Sequence, residues 1–125
     1  MDKKKLLIVE DEPVLNKALQ EFLSAEGFEV IAAVDGEEGI RKAGAEMPDL
    51  ILLDIILPKK DGYEVIREVK ADEKTKNIPI ILLTNLGSIN DVEKALELGA
   101  TTYLVKADYK LEEITQKIKG ILGMD

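Results

Sequence analysis

Four short apolar runs in this sequence end in residues that could do chemistry. Leu6-Leu7-Ile8-Val9 leads into Glu10-Asp11-Glu12, and Leu50-Ile51-Leu52-Leu53 leads into Asp54. Ile80-Ile81-Leu82-Leu83 leads into Thr84, and the run 102–105 leads into Lys106. If these runs are strands of one sheet, two or three carboxylates, a hydroxyl and an ammonium converge at its edge. Carboxylates in contact raise each other's pKa and need a compensating cation. The chain has no histidine and no cysteine, so oxygen must hold any such cation. That points to Mg²⁺, with Mn²⁺ or Ca²⁺ as the alternatives. The charges of Glu10, Asp11 and Asp54 would balance those of Mg²⁺ and Lys106. Such a set can accept a phosphoryl group, with Asp54 as the carboxylate nucleophile. The metal and Lys106 would offset the charge developing on oxygen, and Thr84 would donate a hydrogen bond.

Taken singly, these residues are ordinary. Acidic strand ends usually form solvated turns or caps, Thr84 is a common strand former, and Lys106 reads as a surface charge. Asp54 stands apart, because a carboxylate that closes a buried run needs a partner. The specificity lies in the order of the whole set on successive run ends.

The elements that must position them are legible as a pattern. Five apolar runs, 5–9, 29–33, 50–53, 79–83 and 102–105, are mostly continuous, as expected for strands covered on both faces. Helical patterns lie between them. The first carries an apolar stripe of Val14, Leu15, Ala18, Leu19, Phe22 and Leu23, with Pro13 in its first turn and Gly27 at its C-terminal cap. The second starts at Asp35, carries Ile40 and Ala43, and stops before Pro48. The third follows Asp61-Gly62, a turn and cap, and carries Val65, Ile66 and Val69. The fourth opens on Ser88-Ile89-Asn90-Asp91 as a capping box, carries Val92, Ala95 and Leu96, and ends at Gly99. The fifth carries Leu111, Ile114, Ile118 and Ile121. Five strands alternating with five helices predict parallel strands with right-handed crossovers, a doubly wound α/β domain over 1–125. Ligands of such sheets sit beyond the carboxyl ends of the strands.

Composition narrows the function. The chain has 125 residues, 46% hydrophobic and 34% charged, enough for one packed domain and not two. Without histidine or cysteine there is no Ser-His triad, no His-ligated zinc or haem and no disulfide. A net charge of −8, from 25 acids and 17 bases, argues against nucleic acid or an anionic membrane as a partner. Lys3-Lys4-Lys5 is too short to reverse that. No apolar run is long enough for a membrane span or a signal-peptide core, so a cytoplasmic protein is expected.

The residues resemble the receiver domain of two-component response regulators over essentially the whole chain. The match rests on Glu10-Asp11, on Asp54-Ile55-Ile56-Leu57-Pro58-Lys59-Lys60-Asp61-Gly62, on Thr84, on Lys106, and on Gly99-Ala100 before the fifth strand. The resemblance implies strand order 2-1-3-4-5, flavodoxin-like. It implies that Asp54 accepts a phosphoryl group from the phosphohistidine of a sensor histidine kinase or histidine phosphotransferase. Glu10, Asp11, Asp54 and the backbone carbonyl of Ile56 would hold Mg²⁺ or Mn²⁺, and Thr84 and Lys106 would bind the phosphoryl oxygens. Tyr103 stands where the family has its switch aromatic, moving with Thr84 to change the face of helix four, strand five and helix five.

This chain departs from the family pattern in three places. Glu10-Asp11 stands for the commoner Asp-Asp, Asn85 for a small residue, and Ala107 for a proline after Lys106. A cis bond before Ala107 would cost about 2.5–4 kcal/mol. Either a trans bond with a displaced loop or a strained cis bond is therefore expected. Ile56 and Leu86 beside the expected water path imply slow self-dephosphorylation.

The reading is a phospho-accepting receiver without an output domain, monomeric or weakly dimeric, acting on an unknown downstream protein and not a turnover enzyme. The alternatives are a pseudo-receiver that only binds partners and a flavodoxin-like nucleotide or flavin carrier. The carrier needs a Gly/Ser/Thr-rich phosphate loop, where this chain has Glu10-Asp11-Glu12-Pro13. A haloacid-dehalogenase-like phosphatase would need an acid at position 56, which is Ile56.

Overall fold

The computed structural model describes residues 3–55, 57–84, 89–106 and 110–124, with the backbone alone at 89 and 90. In chain order the elements are β1 (Lys5–Val9), α1 (Pro13–Ala25), β2 (Glu29–Ala33), α2 (Gly36–Glu46), β3 (Leu50–Asp54), α3 (Gly62–Ala71), β4 (Ile80–Thr84), α4 (Ile89–Leu98), β5 (Thr102–Val105) and α5 (Leu111–Leu122). All strand pairs are parallel, in the order β2-β1-β3-β4-β5. This is the expected doubly wound arrangement.

Strand alternation divides the core in two. Leu7, Val9, Ile51, Leu53, Ile80 and Leu82 face a layer that includes Ala43 of α2, Val65, Ile66 and Val69 of α3, and Ala95 of α4. Leu6, Ile8, Leu50, Leu52, Ile81 and Leu83 face Leu19 and Leu23 of α1 and Ile114 and Ile118 of α5. Because both faces are covered, β1, β3 and β4 are apolar over 6–9, 50–53 and 80–83, and nearly every residue in them is buried. The strand order reverses direction between β1 and β3. Their carboxyl ends, carrying Glu10 and Asp54, therefore flank the topological switch point.

Helix ends follow local chemistry. Pro13 opens α1, where its missing N–H costs nothing. Asp35 caps α2 by accepting the Glu38 N–H, and Asp61 caps α3 by accepting the Glu64 N–H. The α1 cap falls on Glu26, and Gly27 takes the positive φ one residue later. The Ser88 capping box lies outside the described residues.

Two expectations of burial need correction. Helical spacing puts Val14 and Leu96 on apolar stripes, yet Val14 is 79% exposed and Leu96 is 39% exposed. On α1 the buried line runs through Asn16, Leu19 and Leu23, which turns Val14 outward. Sequence spacing alone left that choice of face open, since Val14 and Leu15 are both apolar.

The contrast can be measured. Leu19→Ala is expected to lower unfolding stability by about 2–5 kcal/mol, through lost transfer energy and a cavity. Val14→Ala should stay within about 0.5 kcal/mol of wild type. Urea denaturation of both variants checks this, and a large loss at Val14 would contradict the assigned face.

Candidate functional site

The strand register brings the predicted residues together. Val9 pairs with Leu53, so the next residues, Glu10 and Asp54, stand level on adjacent strands. Asp54 pairs with Leu83, which leaves Thr84 one step beyond it. Thr84 pairs with Val105, and Lys106 follows directly. Asp54 and Thr84 close their strands as part of them, one residue later than the apolar runs suggested.

Lys106 reaches back across β4. Its Nζ lies 2.7 Å from Glu10 Oε1 and 3.0 Å from Asp54 Oδ2. All three side chains are withdrawn from water, Glu10 almost completely. Asp11 is exposed, and an oxygen of each of Glu10, Asp11 and Asp54 falls within 4.8 Å of the others. Glu10 Oε2 accepts the Glu12 N–H at 3.0 Å. Thr84 is buried at the same edge. Tyr103 lies on edge strand β5, 41% exposed.

The electrostatics follow from burial. Burial pushes the Glu10 carboxyl above its ordinary value. The Lys106 ammonium and the Glu12 N–H oppose that rise, and the charge of Asp54 adds to it. Burial pulls the Lys106 ammonium down, but contact with Glu10 and Asp54 outweighs it and holds the group above its usual range. A buried ion pair gains little over an apolar pair, yet losing one partner typically costs about 3–5 kcal/mol.

Three carboxylates with one ammonium leave the cluster net negative. Glu10 Oε1 is fully buried, and no aligned hydrogen bond reaches it among the described residues, although the ammonium is close. An all-oxygen, anionic donor set with one open, exposed member fits a hard divalent cation. The Ile56 carbonyl, the Lys106–Ala107 bond, Asn85 and Leu86 lie outside the described residues.

The loop after Asp54 is held from below. The Gly62 N–H donates to the Ile55 carbonyl at 2.7 Å. A side chain on Gly62 would put its Cβ 2.6 Å from Ile55 Cα and 2.8 Å from the Asp54 carbonyl oxygen. Glycine is therefore needed for α3 to start against the strand end that carries Asp54. Asp35 and Lys59, 3.7 Å apart, tie the same loop to the start of α2.

Asn16, which no sequence motif singles out, is buried beside the acidic pair. The signal was present as a polar residue on the line of Leu19 and Leu23 at helical spacing.

Residues 6–119 match the family model of the response regulator receiver domain. The chain is 41% identical to the alkaline phosphatase synthesis transcriptional regulatory protein PhoP of Bacillus subtilis, over 95% of this chain and 48% of that protein. It is 37% identical to the DNA-binding master transcriptional regulator RpaA of Synechocystis, over 94% of this chain and 48% of that protein. The chain thus spans about half the length of the curated relatives it matches. Among solved structures, it is similar to the receiver domain of a sensor histidine kinase from Pseudomonas aeruginosa, described with magnesium coordinated in its active-site cleft. That likeness has a TM-score of 0.89 and 34% identity, covering 98% of this chain and 99% of that one. Chemotaxis protein CheY4 of Vibrio cholerae is similar at TM-score 0.89 and 29% identity, over 94% and 98% of the two chains. No described helix is long and apolar enough to cross a membrane.

The raised Glu10 pKa has a consequence for stability. Between 4.5 and the raised value, the folded state binds more protons than the unfolded state. The stability contributed by this group is therefore complete below 4.5 and falls as pH rises through the folded pKa. Glu10→Gln removes the titration. In metal-free urea titrations across that window, wild type should lose more stability with rising pH than Glu10→Gln. Parallel profiles would contradict the assignment.

Proposed function

The chain belongs to the response regulator receiver domain family, and from that premise we propose that Asp54 is its phosphoacceptor. The observation that carries the reading is the partly buried ammonium of Lys106, held between Asp54 and Glu10. An Asp54 carboxylate oxygen attacks the phosphorus of a phosphohistidine on a sensor kinase or histidine phosphotransferase. The new P–O bond forms as the P–N bond breaks, and the imidazole leaves with the electron pair and takes up a proton. Lys106 is already within hydrogen-bond distance of Asp54, so it meets the incoming phosphoryl oxygens without reorganising far. The Thr84 hydroxyl donates to another of those oxygens.

Glu10, Asp11, Asp54 and the Ile56 carbonyl are the residues that would hold Mg²⁺ or Mn²⁺. Bound there, the ion would supply positive charge against the phosphoryl dianion.

The product is a signal and not a released compound. In this reading Thr84 turns toward the phosphoryl group and Tyr103 follows it inward. The face of α4, β5 and α5 then shifts between two pre-existing arrangements. The target of that face is read as a protein. The relatives RpaA and PhoP are transcriptional regulators about twice as long as this chain. At −8, this chain repels nucleic acid, so any DNA contact falls to another domain or protein.

Acetyl phosphate with Mg²⁺ should give one acid-stable, base-labile phosphoryl adduct, read by intact mass. Asp54→Asn or a chelator should abolish it. Lys106→Met should slow labelling by roughly 10²–10³-fold, the range for losing one preorganised oxyanion donor. Equal labelling of Asp54→Asn and wild type would remove Asp54 from the role.

A further inference from the structure

We propose that Asn16 is a positioning residue that fixes how the Glu10-Asp11 pair presents its carboxylates to a divalent cation. The inference rests on the reading of that pair as a metal site. Asn16 lies in the first turns of α1, 3% exposed, in line with Leu19 and Leu23 on the face that meets the sheet. Its Nδ2 donates to the Glu10 carbonyl at 2.8 Å and to the Ala33 carbonyl at 3.1 Å. Its Oδ1 accepts from Gln20 Nε2 at 2.7 Å. Both amide hydrogens thus point at strand ends, and the donor from Gln20 fixes which end of the amide faces them.

These bonds leave the Glu10 main chain little freedom. Its N–H donates to Ala33 at 3.0 Å, and its carbonyl receives Asn16. The next N–H to turn back, that of Glu12, binds the Glu10 carboxylate itself. The ends of β1 and β2 and the first turns of α1 are joined through one buried amide. A leucine here would continue the apolar line and avoid the cost of burying an amide. The amide instead orders the peptide that leads into Asp11, the exposed member of the cluster. Mg²⁺ demands near-ideal octahedral geometry, so a small rotation of that peptide would misplace the Asp11 oxygen relative to Glu10 and Asp54.

The test is calorimetric titration of Mg²⁺ into the unphosphorylated protein, a readout independent of phosphorylation. Wild type, Asn16→Leu, Gln20→Leu and Ile118→Val are compared, with the stability of each measured separately in urea. Ile118 lies in the same core layer as Leu19 and Leu23 but outside this hydrogen-bond chain, so its truncation reports general loosening. Asn16→Leu should weaken Mg²⁺ binding about tenfold, the low end for loss of a group that orients metal ligands. Gln20→Leu should weaken it less, in the same direction, and Ile118→Val should leave it unchanged. Wild-type affinity in Asn16→Leu, or an equal loss in Ile118→Val, overturns the proposal. If Asn16→Leu does not fold, Gln20→Leu decides, and wild-type affinity there overturns it. A wild type that binds no Mg²⁺ overturns the reading of the acidic cluster, and this inference with it.

Discussion

One ammonium shared by two buried carboxylates dictates how the carboxyl edge of the sheet is built. Glu10 and Asp54 end adjacent parallel strands, and the register holds them level. Without Lys106, two like charges would face each other in a place where water screens them poorly. The lysine can reach them because β5 ends one residue before it, at the same edge of the sheet. Strand order, register and the lengths of β1, β3 and β5 are all conditions for that contact. A slip of one residue in any of these strands would turn a charged group into the apolar layers.

The same edge has two contrasting sides. Its core side is closely packed, since β1, β3 and β4 are covered on both faces. Its outer side is polar and accessible through Asp11. Glu10 is the most deeply buried of the three carboxylates. Burial raises its pKa, and the lysine beside it offsets only part of that. Under the proposed function, a cation and then a phosphoryl group would complete the neutralisation that Lys106 begins.

Much of this was legible in the sequence, for identifiable reasons. Continuous runs such as Leu6-Leu7-Ile8-Val9 report burial on both faces. Asp35 and Asp61 report helix starts because their side chains cap the first turn. The candidate cluster was legible because each member ends a run, and parallel topology brings run ends together. Other features were less so. Val14 and Leu15 are both apolar, and only packing against the sheet decides which turns inward. Asn16 looked like a polar helix residue, and its two carbonyl partners come from strand ends, one of them 17 residues away. Gly62 read as a turn residue, while its contact with the backbone at Asp54 and Ile55 is a tertiary fact that no local pattern carries.

Under the proposed function, the carboxylate cluster and Lys106 form a cation-dependent phosphoryl site at Asp54. Its most direct test is ¹⁹F NMR of the protein with beryllium and fluoride, which together mimic a phosphoryl group. Slowly exchanging bound-fluoride signals that require Mg²⁺ and vanish in Asp54→Asn are expected. Absence of bound signals with Mg²⁺ present, or their persistence in Asp54→Asn, would contradict it.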